Sequence, residues 1–380
     1  MNTQKICIIG DGLAGLTTAA ILSEENIRID LYSPKVEKKI KNDNRTTAIS
    51  ESNYRFLKKE LHLKKLEYAW PCNNINLFYQ KGSNYLNFIN FNEKEKKLMY
   101  IVQNNKFKNT LTNIVIKKKN IKILKSAITK INFNSGSVYV KNKKIIYDLI
   151  VLSVGSQSFL YNKIDQGRSI KKDYKEVAIT AFVKHNSKIE NPSQFFLKEG
   201  PLAILPLKKN VFSLVWSVNY NFFNKNKKNI KILIDKKINE ILDKKVKKKI
   251  SNINNFNIYL NLKKKYFKKN TLIIGDGLHA VHPIAGQGFN LVLRDIMKLK
   301  ELINKNLKLG LLMKESAILK DFYQARKPEN TLVGLGIDLT NTFFKENKIF
   351  SPLKDLLLRN INNFQFIKKI SKKIADSGVR

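Results

Sequence analysis

Cysteine is nearly absent: the 380 residues contain two, Cys7 and Cys72. Two thiols encode neither a disulfide framework nor a cysteine-rich metal site, and they fit a reducing compartment. Histidine is scarce as well, with four in all, which leaves little material for a metal centre. No apolar run approaches the ~20 residues of a membrane-crossing helix. A glycine-rich turn ends the first apolar run at Ile9, so no secretory leader is read. Acidic residues number 30 against 71 Lys and Arg, for a net charge of +41. That excess is diffuse and no nucleic-acid module accompanies it, so nucleic acid is not an expected partner. An anionic membrane surface needs only diffuse charge and an apolar anchor. The expectation is a cytoplasmic protein, peripheral on the inner face of a membrane.

What is present suits a folded enzyme. Hydrophobic residues make up 43% of the chain, enough for a sizeable core. The N-terminus reads Lys5-Ile6-Cys7-Ile8-Ile9, then Gly10-Asp11-Gly12-Leu13-Ala14-Gly15, then Leu16 to Leu22. A short β-branched run predicts a buried parallel strand, and the Ala- and Leu-rich run predicts a helix. G-x-G-x-x-G between them is a dinucleotide turn. Gly10 permits the bend, Gly12 lets a pyrophosphate approach, and Gly15 lets helix and strand pack closely. The second strand, Ile27 to Tyr32, should end on an acid that holds the ribose. Asp30 sits inside the strand and Ser33 at its end, so Ser33 is favoured by position.

A second glycine-rich stretch, GDGLHAVHPIAGQGFN, runs from Gly275 to Asn290. It holds His279 and His282. Their i,i+3 spacing, the Pro283 that follows and the lack of a third ligand argue against a metal. Either histidine could move substrate protons, His282 being the better candidate, but orienting the loop is the simpler role. Gly286, Gly288 and Asn290 precede a helix read from Leu291. Pro283 should stiffen the approach and Gly288 should permit positive φ.

These motifs occur in order with Asp43 to Ser50, Tyr100 to Asn104, Gly200 to Leu207, Ser213 to Trp216, Arg294-Asp295, Tyr323, Arg326 and Thr340 to Arg359. The set resembles the ubiquinone-biosynthesis hydroxylases, a branch of the para-hydroxybenzoate-hydroxylase-like FAD monooxygenases. The resemblance implies FAD as cofactor, NAD(P)H as electron donor and O2 as oxidant. The reaction would hydroxylate the ring of a prenylated phenol through a flavin C4a-hydroperoxide. It implies that Gly10, Gly12, Leu13, Ala14, Gly15 and Ser33 hold the adenine-side half of FAD, and Arg45 and Gln103 its middle. Asp276 would take the ribityl or phosphate region. Gly286, Gln287, Gly288, Phe289 and Asn290 would run beneath the isoalloxazine ring. Substrate would meet Leu205, Pro206 and Pro283, and other ubiquinone-biosynthesis proteins are possible partners. One departure stands out. The family's A-D-G-x-x-S segment is Ser153-Val154-Gly155-Ser156-Gln157-Ser158 here. Val154 replaces the acid, which weakens the expectation of NAD(P)H use. An FAD enzyme of another reaction (a prenyl reductase, for example) and a non-catalytic flavin-binding scaffold remain as alternatives.

The implied fold class is α/β. A Rossmann-like FAD-binding domain (1–74, 99–175, 268–330) is interleaved with a mainly antiparallel β-sheet substrate domain (75–98, 176–267), and C-terminal helices follow (331–380). Period-two alternation predicts strands at Asn76 to Tyr79, Leu86 to Phe91, Val177 to Val183, Ala203 to Leu207 and Val211 to Val218. Lys231 to Ile250 reads as a lysine-rich helix. Asn221 to Lys231 reads as a loop, and Lys263 to Asn270 as a basic link. His62 and His185 read as surface residues. The C-terminal segment, with Phe343, Phe344, Phe350, Leu353, Leu356, Leu357, Phe364, Phe366 and Ile367 among lysines, reads as a helical cap, a membrane-facing surface, or both.

Overall fold

The computed structural model describes residues 3–33, 45–155, 158–165, 169–242, 246–314, 317–345 and 365–378. The strand Gln4–Ile9 lies at the centre of a six-stranded sheet. It pairs in parallel with Ile27–Tyr32 on one side and Leu149–Leu152 on the other. Ile121–Leu124 and Thr271–Ile273 extend the sheet, again in parallel, and Phe267–Lys268 closes one edge antiparallel. Strands buried on both faces can be apolar at every position. Ile6, Cys7 and Ile8 are fully buried, and so are Ile150, Val151 and Leu152. The helix Leu13–Leu22 packs on this sheet between Asn104–Lys117 and Gly288–Lys308.

The second sheet has eight strands. Its order is His279–Ala280, Lys248–Lys263, Ser169–His185, Val211–Asn219, Gly200–Lys208, Ser193–Leu197, Asn74–Lys81, Asn84–Asn92. All pairings are antiparallel except Ser193–Leu197 with Asn74–Lys81. Alternation splits it into two faces. Ile179, Leu214 and Trp216 pack outward under the helix Ile230–Ile241 through Ile234 and Ile238. Thr180, Ala203, Leu205 and Val215 face inward to a cavity. A small antiparallel sheet of Thr46–Ser50, Met99–Gln103 and Trp70–Cys72 bridges the two large ones. Its Ala48, Cys72 and Ile101 pack with Leu207 of the eight-stranded sheet. The α/β architecture therefore agrees with the sequence reading.

Four local readings are corrected. Lys231 to Ile250 is not one helix: the helix ends at Ile241, and Lys248 opens a 16-residue strand. Lys231, Lys236 and Lys237 do belong to the helix, whereas the Lys248 side chain is buried against Asp235 (3.1 Å) and Asn239 (2.6 Å) at the start of the strand. Asn221 to Lys231 is not a loop. The Asn219 side chain accepts from the Asn221 N–H and caps the helix Tyr220–Asn226, while Phe223 anchors it in the core. The link at Lys263 to Asn270 contains the strand Phe267–Lys268, hairpin partner of Thr271–Ile273. His185 is buried, not superficial: its Nδ1 accepts from the Ser187 N–H (3.2 Å), and burial holds its imidazole below the ordinary value.

At the C-terminal end, Ile318–Phe344 forms a long helix and Gln365–Ser377 a second. Phe344 stacks on Phe196 at 3.6 Å between ring centroids, and Phe343 is exposed. Phe350, Leu353, Leu356, Leu357 and Phe364 lie outside the described residues, as do the side chains of Phe366 and Ile367. Among the described residues no helix is long and apolar enough to cross a membrane.

Candidate active site

The first glycine turn is held by contacts that a side chain would destroy. Gly10 has φ +117°, and a Cβ there would sit 2.3 Å from the Ser153 carbonyl oxygen. A Cβ on Gly15 would lie 1.9 Å from the Gly10 oxygen. Gly12 differs: a Cβ would meet nothing within 4 Å. It N-caps the helix Leu13–Leu22, which has no side-chain cap. Amides of that first turn, including those of Leu13 and Ala14, thus open onto free space with the positive end of the helix dipole. The residues fit a pyrophosphate.

Beside the turn, the Ser33 hydroxyl donates to Asp11 Oδ2 at 2.9 Å. Asp30 is buried, bonded to Lys5 (2.8 Å) and the Tyr147 hydroxyl (2.6 Å), and faces the core. The strand end thus presents the Ser33 hydroxyl bonded to the Asp11 carboxylate of the first turn.

The Gly275–Asn290 stretch runs alongside the same turn. Gly275 has φ +90°, and its Cβ would lie 2.9 Å from that of Ala14. Asp276, the next residue, is exposed beside the first turn of the helix. Tyr161 fills the space behind: Gly277 could not carry a Cβ, which would fall 2.2 Å from the Tyr161 ring. The Tyr161 hydroxyl accepts the Val154 N–H at 3.1 Å. Val154 thus serves through its backbone, with its side chain packed against the core.

Further on, the left-handed residue is Gly286, with φ +62°, and not Gly288, which begins the helix Gly288–Lys308. A Cβ on Gly286 would lie 2.9 Å from that of Ala48. The Asn290 side chain is fully engaged by protein. Its Oδ1 accepts from the Ser50 N–H and Asn53 Nδ2, both at 3.0 Å. Its Nδ2 donates to the carbonyls of Ala48 (2.9 Å) and Gly286 (3.2 Å). Asn290 therefore staples the loop to the bridging sheet, and only its backbone is left for a cofactor. Gln287 is buried, and Phe289 packs edge-on against Phe107.

Both histidines orient the loop. His279 bonds the fully buried Asp295 through Nε2 at 2.7 Å. His282 Nδ1 accepts the Ile284 N–H (3.3 Å), so Nε2 carries the proton and donates to Glu176 Oε2 at 2.8 Å. Both His282 nitrogens are thus hydrogen-bonded within the protein, and the residue also lines a cavity together with Gly286 to Asn290. Burial works to raise the Glu176 carboxyl, but bonds to His282 and Lys345 outweigh it and hold it below the ordinary value. Among the described residues no cluster of three metal-ligating side chains occurs.

Arg45 and Gln103 meet at one end of the bridging sheet. Thr46 pairs with Gln103, and the Asn104 N–H donates to the Arg45 carbonyl at 3.0 Å. Arg45 lines a cavity of about 400 Å³, bounded also by Gly286 to Asn290 and Pro283. Across from them stand Leu77, Phe91, Phe196 and Leu205. Gln103 and Pro206 do not line it. Pro206 is buried off the cavity, because adjacent strand residues point to opposite faces.

Comparison with known proteins agrees with this geometry. A family model described as an FAD binding domain matches residues 166–317. The ubiquinone biosynthesis monooxygenase COQ6 of Dictyostelium discoideum is 24% identical, over 97% of this chain and 90% of that protein. The ubiquinone hydroxylase UbiM of Neisseria meningitidis is 22% identical, over 97% and 84%. The crystal structure of Klebsiella pneumoniae HpxO complexed with FAD and uric acid superposes with TM-score 0.75 at 12% identity, covering 98% of this chain and 97% of that one. Two glycine turns on one sheet and a cavity roofed by another thus accompany a likeness to an FAD binding domain and to monooxygenases of ubiquinone biosynthesis. In sequence the chain is similar to the ubiquinone-biosynthesis hydroxylases.

Proposed function

We propose that the protein hydroxylates the aromatic ring of a prenylated phenol, a ubiquinone precursor, with NAD(P)H and O2. One oxygen atom enters the ring and the other leaves as water, with the nicotinamide supplying two electrons. The observation that carries this reading is the cavity, which is walled by a glycine-rich edge on one side and apolar side chains on the other. Bound FAD would supply the oxygen-activating redox chemistry. Gly12 and the uncapped amides after it would hold its pyrophosphate, Ser33 with Asp11 its ribose, and Arg45, Gln103 and Asp276 its middle. The backbone from Gly286 to Asn290 would meet the ring. The helix Gly288–Lys308 also lacks a side-chain cap, so its N-terminal amides favour negative charge developing there. Leu205, Pro283 and the phenylalanines exclude water from the reacting edge. The lysine-rich surface would hold the protein peripherally on an anionic membrane, where a prenylated substrate resides.

The reading is tested on purified protein. Flavin absorbance should be present, and Asp276→Ala should lower FAD occupancy while the protein stays folded. NAD(P)H consumption should rise with a prenylated phenol, and the product should gain one oxygen by mass. A protein that binds no FAD on reconstitution sinks the reading, and so does NAD(P)H oxidation that yields only peroxide with every phenol.

A further inference from the structure

The third wall of the cavity comes from the far end of the chain. The helix Gln365–Ser377 presents Ser371, Lys372, Ala375 and Asp376 to it. These positions fall on one face of a helix. Two of the four are small. Ser371 is exposed at the mouth, and Ala375 lies half-buried further in.

The wall is bolted at several points. Arg294 donates to the Ile374 (3.1 Å) and Ala375 (2.9 Å) carbonyls, a cation on the negative end of the helix. Asp376 Oδ1 accepts the Ser52 N–H at 2.9 Å and so caps the helix Glu51–Glu60 from more than 300 residues away. Its carbonyl accepts the Ser50 and Ser52 hydroxyls. Lys372 pairs with Glu93, which follows the strand Asn84–Asn92. Gly378 is pressed on Glu329, where a Cβ would lie 2.3 Å from Oε1. A backbone held this way cannot retreat from a larger side chain, so added volume must enter the cavity.

We propose that the Gln365–Ser377 helix is a specificity-determining wall, and that Ala375, with Ser371 at the mouth, sets the bore through which the apolar tail of a ring substrate passes. Leu77, Phe91 and Phe196 line the same cavity and offer an apolar surface matched to a hydrocarbon chain, with Lys96 and Lys97 also on the lining. The inference rests on the hydroxylase reading for the presence of a tailed substrate, but its test does not rest on turnover.

The test uses the holoprotein and 4-alkylphenols with methyl, butyl and decyl chains. Dissociation constants are read from protein and flavin fluorescence, with product formation scored separately. For Ala375→Leu, affinity for the decyl compound should fall roughly tenfold or more, while the methyl compound binds within about twofold of wild type. Ser371→Leu should do the same more weakly, and Ala375→Val serves if the leucine variant melts early. Equal losses across the series, unchanged decyl binding, or a wild type indifferent to chain length would each overturn the proposal. A wild type that binds decylphenol tightly, loses it in Ala375→Leu, and never oxidises it would leave the wall standing and remove the hydroxylase reading.

Discussion

Asn290 shows how much one side chain can organise. Four hydrogen bonds join the loop at Gly286, the strand Thr46–Ser50 and the helix Glu51–Glu60. Asn290→Ala leaves buried donors and acceptors unpaired, at about 1–3 kcal/mol for such a loss; urea denaturation should show that cost together with weaker FAD retention. Gly286→Ala adds left-handed strain of roughly 1–3 kcal/mol to the clash with Ala48, and its melting temperature should fall accordingly. At this scale the glycine spacing was legible in the sequence, because it reports backbone approach. Partner identities were not. Which glycine turns left-handed, which carboxylate bonds Ser33, and what partners His282 Nε2 all depend on neighbours more than 20 residues away.

Elements lock together through charge buried behind the site. Asp295 of the helix Gly288–Lys308 bonds His279 of the loop (2.7 Å) and Arg326 of the helix Ile318–Phe344 (2.7 Å), and Arg326 also pairs with Glu329. Arg326→Ala would leave the fully buried Asp295 carboxylate with only His279 and Asn330 as partners, costing about 3–5 kcal/mol, measurable by chemical denaturation at pH 7. Asp295 and Glu176 both titrate below their ordinary values, burial being outweighed by their cationic and histidine partners. Depressed carboxyls contribute stability that is complete above the unfolded values, 3.8 and 4.5, and is lost as pH falls through the native ones. Melting temperature should therefore drop steeply below about pH 4.5. Glu176→Gln should be less stable at pH 7 and show a shallower acid limb. Strands with clean apolar alternation were readable. Lys248–Lys263 was not: its Asn and Lys residues hide the period, and only pairing with Ser169–His185 makes it a strand. No local signal placed residue 376 at the start of a helix near residue 51.

For the molecule as a whole, a net charge of +41, with no membrane-crossing helix among the described residues, makes association with an anionic surface salt-dependent. On the peripheral-membrane reading, the protein should cosediment with anionic vesicles at 0.1 M salt. It should release near 1 M, where the screening length shrinks from about 10 Å to about 3 Å; retention at 1 M salt would point to apolar insertion instead. Composition gave the charge and the core. It could not say that the helix Gln365–Ser377 lines the same cavity as the loop from Gly286 to Asn290.

The parallel sheet has a further consequence for how the protein is made. Gln4–Ile9 finds Ile27–Tyr32 early, but its other neighbour is Leu149–Leu152, and Thr271–Ile273 follows later still. At a ribosomal rate of 5–20 residues per second, the nascent chain leaves one edge of its central strand unpaired for roughly 7–30 s. Ile6, Cys7 and Ile8, buried at the end, are in that interval an invitation to chaperones and to aggregation. Supply of such an enzyme is expected to depend on protection during synthesis as much as on the stability of the finished fold.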